Sequence, residues 1–325
     1  MHNDKNMKIL ANDGISKAGK EYLEKEGFDV ITTFVAQDQL ANFINETDIE
    51  VLLVRSATKV RKDLIDATNL KIIGRGGVGM DNIDVEYARS KGISVINTPA
   101  SSSASVAEMV MAHVYSLFRN LHGSNRTMPL EGETKFNQLK KAYGKAFELR
   151  GKTIGIIGFG RIGREVAKNA IGAGMKVIAY DHTYETADVP VEFFDGQCLM
   201  FHFDIKSFEE VITQSDIITL HVPAQENYVI GAAEIEKMKN GAMIINTARG
   251  GVVNEEALLE ALDSGKLAGA GLDVFEEEPN PSVRLLMNEK LSLSPHLAGS
   301  TEEAQERIGI ELAEQITAFY KQATV

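Results

Sequence analysis

Along this chain, short runs of β-branched and other apolar residues alternate with longer stretches whose apolar residues return every three or four positions. The first part carries the runs KILAND (8–13), DVITTF (29–34), VLLVRS (51–56), KIIGRGG (71–77) and ISVINTP (93–99). A second array follows: KTIGIIG (152–158), KVIAYD (176–181), DIITLHVP (216–223), AMIINTARG (242–250), AGAGLDVF (268–275) and LSLSPH (291–296). Their near-continuous apolar character suits parallel strands buried on both faces. The stretches between most of them, such as 161–173 and 254–265, have helical spacing. The pattern predicts two α/β domains, each built on a doubly wound parallel sheet.

Two further helices frame this organisation. SSSASVAEMVMAHVYSLFRNLH (101–122) offers serines as N-caps and then apolar residues at helical spacing, so it reads as the helix leading from one domain into the other. The last segment, from Ser300, has a capping box in Ser300 and Glu303 and an apolar face of Ile308, Leu312, Ile316 and Phe319. The second sheet is complete by then, so this helix is expected to dock on the first. That makes the first domain discontinuous, 7–100 with 298–325, around a second domain at 101–297. Residues 1–6 read as a loose extension.

Composition narrows the class. Hydrophobic content of 44% and charged content of 25% are ordinary for a globular protein with sizeable cores. No apolar run reaches the length of a membrane span, and the polar N-terminus has no signal-peptide character. A net charge of −12 disfavours nucleic acid and anionic membranes as partners. The one cysteine, Cys198, excludes an internal disulfide and any cysteine-rich metal site. No metal is expected, and the cytoplasm is the expected compartment.

The strongest single motif is GFGRIG, with Gly158, Gly160 and Gly163. It follows a clean strand and opens a helix, and the next strand ends in Asp181. This is a dinucleotide fingerprint. Gly158 permits the tight turn, Gly160 lets the backbone approach a pyrophosphate, and Gly163 lets helix and strand pack closely. The free N–H groups of the helix N-terminus then face the phosphates. Asp181 would accept hydrogen bonds from the adenosine ribose hydroxyls and repel a 2′-phosphate, which favours NAD over NADP. His182 is the only neighbouring group that could soften that preference.

In open α/β sheets ligands bind at the carboxyl ends of the strands. Here those ends carry His221-Val222-Pro223, Thr247-Ala248-Arg249-Gly250, Asp273 followed by Glu278-Pro279, and His296. Hydride transfer from a secondary alcohol needs a base for the hydroxyl proton and a cation for the substrate carboxylate and nascent carbonyl. A carboxylate that orients the base helps. His296, Arg249 and Glu278 suit those roles in that order. His221 is the rival base, although no carboxylate follows it closely.

With VRSATKV, GRGGVGMDNID, NTP, GFGRIGREVA, TARGG, GLDVFEEEP and SPHLAGST in this order, the chain resembles the D-2-hydroxyacid dehydrogenases nearly end to end. Within that family it is similar to the phosphoglycerate dehydrogenase branch. The resemblance implies a Rossmann NAD-binding domain inserted in a flavodoxin-like substrate domain, with an Arg249–Glu278–His296 catalytic set. It implies cofactor contacts at Arg161, Ile162, Val222, Pro223, Thr247, Ala248, Asp273 and Gly299. It also gives substrate-carboxylate binding by the N–H groups of Gly77 and Val78. Arg55 and Ser56 in VRSATKV, with Arg75, would hold a phosphate on the substrate, since arginine presents a planar fork to phosphate oxygens. The loop FNQLKKAYGKAFELRG would add Lys140 or Lys141. The implied reaction interconverts 3-phosphoglycerate and 3-phosphohydroxypyruvate, as in serine biosynthesis. Alternatives are a dehydrogenase of glycerate, hydroxypyruvate or another D-2-hydroxyacid, and an NADH-sensing corepressor-like protein. A homodimer or homotetramer through the NAD-binding domain is implied, with the helix at 104–118 and the Phe136–Phe147 loop as candidate contacts. Residues 182–206 exceed the family's usual short connection and receive no element. The chain stops at Val325, where longer members continue into serine-sensing domains, so serine is not expected to inhibit by that route.

Overall fold

The computed structural model describes residues 7–323. In chain order the elements are β1 (Lys8–Ala11), α1 (Lys17–Lys25), β2 (Asp29–Ile31), α2 (Leu40–Thr47), β3 (Ile49–Val54), α3 (Lys62–Asp66), β4 (Ile72–Arg75), α4 (Val85–Ser90) and β5 (Ser94–Asn97). Then come α5 (Ser103–Phe118), α6 (Leu121–Tyr143), β6 (Thr153–Ile157), α7 (Arg161–Gly172), β7 (Lys176–Tyr180), β8 (Thr186–Glu192), β9 (Cys198–Asp204), α8 (Phe208–Gln214) and β10 (Ile217–Leu220). The chain closes with α9 (Ala232–Lys237), β11 (Ala242–Asn246), α10 (Glu255–Ser264), β12 (Leu267–Leu272), α11 (Val283–Leu286), β13 (Leu291–Leu293) and α12 (Glu302–Ala323).

Two compact units result, one from the residues up to Ser102 together with those from Gly299 onward, the other from Ser103–Ala298. The first unit holds a five-stranded parallel sheet in the order β2-β1-β3-β4-β5. One face is covered by Leu40, Ile44, Leu64, Ile65 and Ala88 of the short helices. The other is covered by Leu23 of α1 and by Ile308, Leu312, Ala313 and Ile316 of α12. Phe319, read from the sequence as part of that apolar face, stays 37% exposed. Helices α1 and α12 meet at two glycines. A Cβ built on Gly19 would lie 2.6 Å from the backbone of Gly309, closer than real Cβ atoms come.

The second unit holds a six-stranded parallel sheet in the order β13-β12-β11-β10-β6-β7. Its strands are buried on both faces, with the helices α5 and α7 packing Val110, Val114, Leu117, Val166 and Ala170 onto one side. Helices α8, α9 and α10 pack Val211, Ile235, Leu258 and Leu262 onto the other. All five ladders are parallel, as continuous apolar strands require when both faces are covered.

Four sequence expectations change. Residues 182–206, left without an element, form the antiparallel hairpin β8–β9, paired from Thr186–Asp204 to Glu192–Cys198. Alternation explains it. Ala187 and Val189 of β8 are buried, and with Phe203 they join the core beside Phe159. Their neighbours Thr186 and Asp188 face solvent. Second, the segment FNQLKKAY, taken as part of a loop, is the end of α6, so Lys140 and Lys141 stand on a helix. Helix formers dominate that stretch and Leu139 is buried. The helix is kinked where Lys135 leaves helical geometry. Third, α12 is capped by Thr301 rather than Ser300, because the Ala304 N–H donates to Thr301 Oγ1 at 3.2 Å. Fourth, the second strand stops at Ile31, short of Thr32-Thr33-Phe34, where Phe34 is exposed.

The Gly19–Gly309 contact yields a stability prediction. Gly19→Val must push α1 and α12 apart, and overpacking of this kind costs about 1–3 kcal/mol. Urea unfolding followed by circular dichroism is expected to show a lower midpoint for the first unit. An unchanged midpoint would mean that the helices have slack.

Candidate active site

The glycine turn in the second unit needs glycine for two separate reasons. Gly158 sits at φ +92, and a Cβ there would lie 2.5 Å from the carbonyl oxygen of His221 on the neighbouring strand end. A Cβ on Gly163 would lie 2.2 Å from the Gly158 oxygen, so its absence lets α7 close on the turn. The space where a Gly160 Cβ would stand is open. Arg161 is exposed and Ile162 half-buried in the first turn of α7. Asp181 follows β7 and braces the turn. Its Oδ2 accepts from the Phe159 N–H at 2.7 Å and its Oδ1 from the Thr183 N–H at 2.8 Å.

Two polar atoms beside this turn lack partners among the described residues. Thr247 Oγ1, after β11, and His221 Nδ1, after β10, are buried without a hydrogen bond. Buried polar atoms without partners are uncommon and call for a ligand or water. The strands that carry them are neighbours, with Leu220 opposite Asn246. Open backbone at Gly160 and two unmet polar atoms at adjacent strand ends fit a dinucleotide laid along this edge. His221 Nε2 lies 3.0 Å from Thr219 Oγ1, and burial pushes its pKa down to about 3, so the ring is neutral. Val222 and Pro223 continue the strand end, and Val222 Cγ1 would stand 3.2 Å from a Gly158 Cβ.

The turn after β11 is held by Asn246. Its Oδ1 accepts from the Ala248 N–H at 3.0 Å, and its Nδ2 donates to the Arg249 carbonyl at 2.8 Å. Arg249 Nη1 donates to the Ala248 carbonyl at 2.6 Å, which steers the guanidinium along the strand end. Gly250 lies so close to the Phe275 carbonyl that a Cβ would be 1.8 Å from it. That approach sets the Arg249 turn beside the loop that carries Glu278.

Glu278 and His296 are brought together. Glu278 Oε1 accepts from the Phe275 N–H at 3.0 Å, and Oε2 lies 2.7 Å from His296 Nδ1. The carboxylate therefore accepts a hydrogen bond from the Nδ1–H and leaves Nε2 as the free ring nitrogen. His296 has φ +51, a left-handed backbone uncommon for a side-chain-bearing residue. Asp273 holds it there. The Asp273 carbonyl accepts from the His296 N–H at 2.7 Å. Its carboxylate accepts from Leu297 N–H and Ala298 N–H at 2.9 Å each and from Ser294 Oγ at 2.6 Å. Asp273 itself is 1% exposed. Beside the pair lies a pocket of about 410 Å³ lined by Phe275, Pro279, Pro281, Leu286, Leu293 and Pro295.

In the first unit, Arg55 and Arg75 end adjacent strands, since Val54 pairs with Arg75. The Arg55 N–H is held by Asp13 Oδ2 at 2.7 Å. Arg75 folds beneath its own loop, where Nη1 would stand 2.3 Å from a Gly77 Cβ. Gly77 has φ +138. Its N–H, read from the resemblance as a carboxylate donor, is already donated to Thr98 Oγ1 at 2.8 Å. The Val78 N–H carries no hydrogen bond among the described residues. Ser56 is exposed, and the Gly299 carbonyl accepts from Gln305 Nε2 at 3.3 Å. In the second unit Lys141 is an exposed residue of the last turn of α6.

Sequence reasoning missed Asn246 and Ser294, which brace the turns of Arg249 and His296. Each is a polar residue within an apolar run or at its end, and that isolation is the signal that could have found them.

Residues 111–298 match the D-isomer specific 2-hydroxyacid dehydrogenase, NAD binding domain family. The chain is 46% identical over 316 residues to a hydroxypyruvate reductase of Thermotoga maritima, covering 95% of this chain and 97% of that one. It is 42% identical over 313 residues to a D-3-phosphoglycerate dehydrogenase of Methanocaldococcus jannaschii, covering 95% of this chain but only 57% of that one. Among solved structures, a D-lactate dehydrogenase from Aquifex aeolicus, complexed with NAD and lactic acid, superposes at a TM-score of 0.74 with 30% identity. That match covers 98% of this chain and 96% of the other. This chain belongs to the D-isomer specific 2-hydroxyacid dehydrogenases. Its cofactor is NAD and its reaction is NAD-dependent dehydrogenation of a D-2-hydroxyacid. Among the described residues no helix is long and apolar enough to cross a membrane.

The placement of Asp181 predicts cofactor choice. Asp181→Ser removes the charge that opposes a 2′-phosphate, and is expected to narrow the ratio of NADPH to NADH dissociation constants at least about tenfold, or ~1.4 kcal/mol. Calorimetric titration of each nucleotide reads it. An unchanged ratio would place discrimination elsewhere.

Proposed function

We propose that this chain interconverts 3-phosphoglycerate and 3-phosphohydroxypyruvate, with His296 as acid–base. The 2.7 Å contact between His296 Nδ1 and Glu278 carries the acid–base part of this reading. NAD, held at the glycine turn of Gly158, Gly160 and Gly163, would supply the acceptor for the hydride leaving the α-carbon of the hydroxyacid. His296 Nε2, the nitrogen that Glu278 leaves free, takes the hydroxyl proton. Glu278 stabilises the imidazolium that results, and in reduction the same proton returns to the carbonyl oxygen. Arg249 offers a cation for the carboxylate and for charge growing on that oxygen. The rival base is disfavoured, because His221 is buried, faces no carboxylate and is held neutral far below its ordinary pKa.

For the substrate, two arginines at adjacent strand ends support a molecule with two anionic groups. Arg55 and Arg75, with Ser56, are assigned the phosphate, and the Val78 N–H the carboxylate. Gly77 supports the Val78 loop through its bond to Thr98 rather than donating itself. Lys141 is a further cation available to a phosphorylated acid. The residues at Arg161, Ile162, Val222, Pro223, Thr247, Ala248, Asp273 and Gly299 are assigned to the cofactor. A second reading, reduction of hydroxypyruvate to glycerate, draws on the near end-to-end match to a hydroxypyruvate reductase.

Two measurements test these assignments. NADH oxidation is followed with 3-phosphohydroxypyruvate, hydroxypyruvate and pyruvate side by side. A preference of about 100-fold in kcat/KM for the phosphorylated acid, roughly 2.7 kcal/mol, is expected, and Arg55→Ala should erase most of it. Equal or faster turnover of hydroxypyruvate sinks the phosphate assignment and keeps the chemistry. Separately, His296→Asn is expected to lower kcat by about 10²–10⁴ while NADH still binds. Retention of kcat would remove His296 from the mechanism.

A further inference from the structure

Behind the His296 loop lies a buried imidazole that the proposed chemistry does not use. His113 of α5 is 4% exposed. It stands over β12 at Gly271, where a Cβ would lie 2.7 Å from His113 Cβ. Both ring nitrogens have partners. Nδ1 lies 2.9 Å from Ser292 Oγ and Nε2 lies 3.0 Å from Ser294 Oγ.

Counting protons fixes the direction of this chain. The Ser294 hydroxyl has one hydrogen, and a carboxylate oxygen of Asp273 at 2.6 Å can only accept it. Towards His113, Ser294 Oγ must therefore accept, so the proton of the neutral ring sits on Nε2. Nδ1 is then an acceptor for the Ser292 hydroxyl, so across the 3.4 Å contact between Ser292 and Ser116 it is Ser116 that donates. The run is Ser292 to His113 to Ser294 to Asp273, each donating to the next. Burial pushes the His113 pKa down, while the Asp273 charge opposes that shift and His122 adds to it.

Asp273 is the end of the relay that matters. Its carboxylate accepts from Leu297 and Ala298, and its carbonyl from His296. A carboxylate offers about four acceptor positions, and three are filled by Ser294, Leu297 and Ala298. Without the Nε2–H, the Ser294 hydroxyl loses the partner that holds its oxygen and turns its hydrogen toward Asp273. We infer that His113 is a positioning residue for the acid–base, holding the left-handed loop of His296 in place through Ser294 and Asp273. It touches neither substrate nor cofactor. The inference rests on the reading of His296 as acid–base.

The test joins structural and kinetic readouts. In cofactor-free protein, nitrogen-15 shifts of the His113 ring are expected to report the Nε2–H tautomer, and the Nδ1–H form would overturn the relay. His113→Leu is expected to lower kcat for 2-oxoacid reduction about tenfold with KM within about twofold, because the fault lies in alignment rather than binding. His113→Gln, whose amide N–H can reach Ser294, should recover most of kcat. Equal kinetics for Leu and Gln, or wild-type kcat in the Leu variant, would refute the role. Should the Leu variant not fold, Ser294→Ala carries the test, since it removes one oxygen. Its kcat should fall likewise, and the Leu297 and Ala298 amides should exchange about tenfold faster with solvent in cofactor-free protein. Unchanged exchange would also refute the role. A wild-type enzyme inactive on every 2-oxoacid would sink the functional reading alone, because tautomer and amide exchange are read without turnover.

Discussion

A buried carboxylate after β12 organises the candidate active site. Asp273 is almost inaccessible to water and accepts three hydrogen bonds on its side chain, two of them from backbone amides. An ionised group so placed is costly unless its acceptor positions are met. Satisfying them forces the chain through a tight left-handed bend at His296. The backbone cost of that bend, on the order of 1–2 kcal/mol, is offset by the charge-assisted bonds that the bend makes possible. The desolvated carboxylate thus holds the histidine in place, and Glu278 fixes the ring once it is there.

The same economy of position recurs at the neighbouring strand ends. Asn246 bridges the Ala248 amide and the Arg249 carbonyl, so the arginine leaves β11 in one direction. Gly250 then brings that turn against the Phe275 carbonyl. At β6 the glycine turn closes because Gly158 and Gly163 present no Cβ to the atoms they approach. Parallel pairing delivers all of these ends to one edge, so three chemically unlike turns share it without a common sequence motif. The edge is polar, although the strands behind it are mostly apolar.

The hairpin β8–β9 shows where periodicity carries less. Its alternation has period two in β8, where Ala187 and Val189 are buried, and in the second half of β9, where Phe201 and Phe203 are half-buried. In β9 the residues Leu199 and Met200 are exposed, so the run of apolar letters does not describe a buried strand. The end of α6 misled in the opposite way. Its polar, lysine-rich letters read as a loop, although a helix with one buried leucine needs few apolar residues. The Gly77 amide was assigned to a ligand by resemblance, and Thr98, distant in sequence, takes it in the structure.

From the sequence alone, the strands of both parallel sheets, the glycine turn and the acidic residue after β7 were legible, and Arg249, Glu278 and His296 could be named as candidates. Each rests on local rules. Apolar runs must be buried, glycines stand where a Cβ has no room, and unusual polar residues follow strands. The pairing of Glu278 with His296 was anticipated by resemblance, but its 2.7 Å geometry belongs to the folded chain. Only tertiary structure decided that Asp273 anchors the loop, that His113 and Ser294 stand behind it and that Thr98 closes the Gly77 turn. Those contacts join residues from 21 to 181 positions apart. A lone polar residue in an apolar run can flag one member of such a contact, but no local pattern names its partner, because the hydrogen bond exists only when packing of the sheet brings two distant segments within 3 Å.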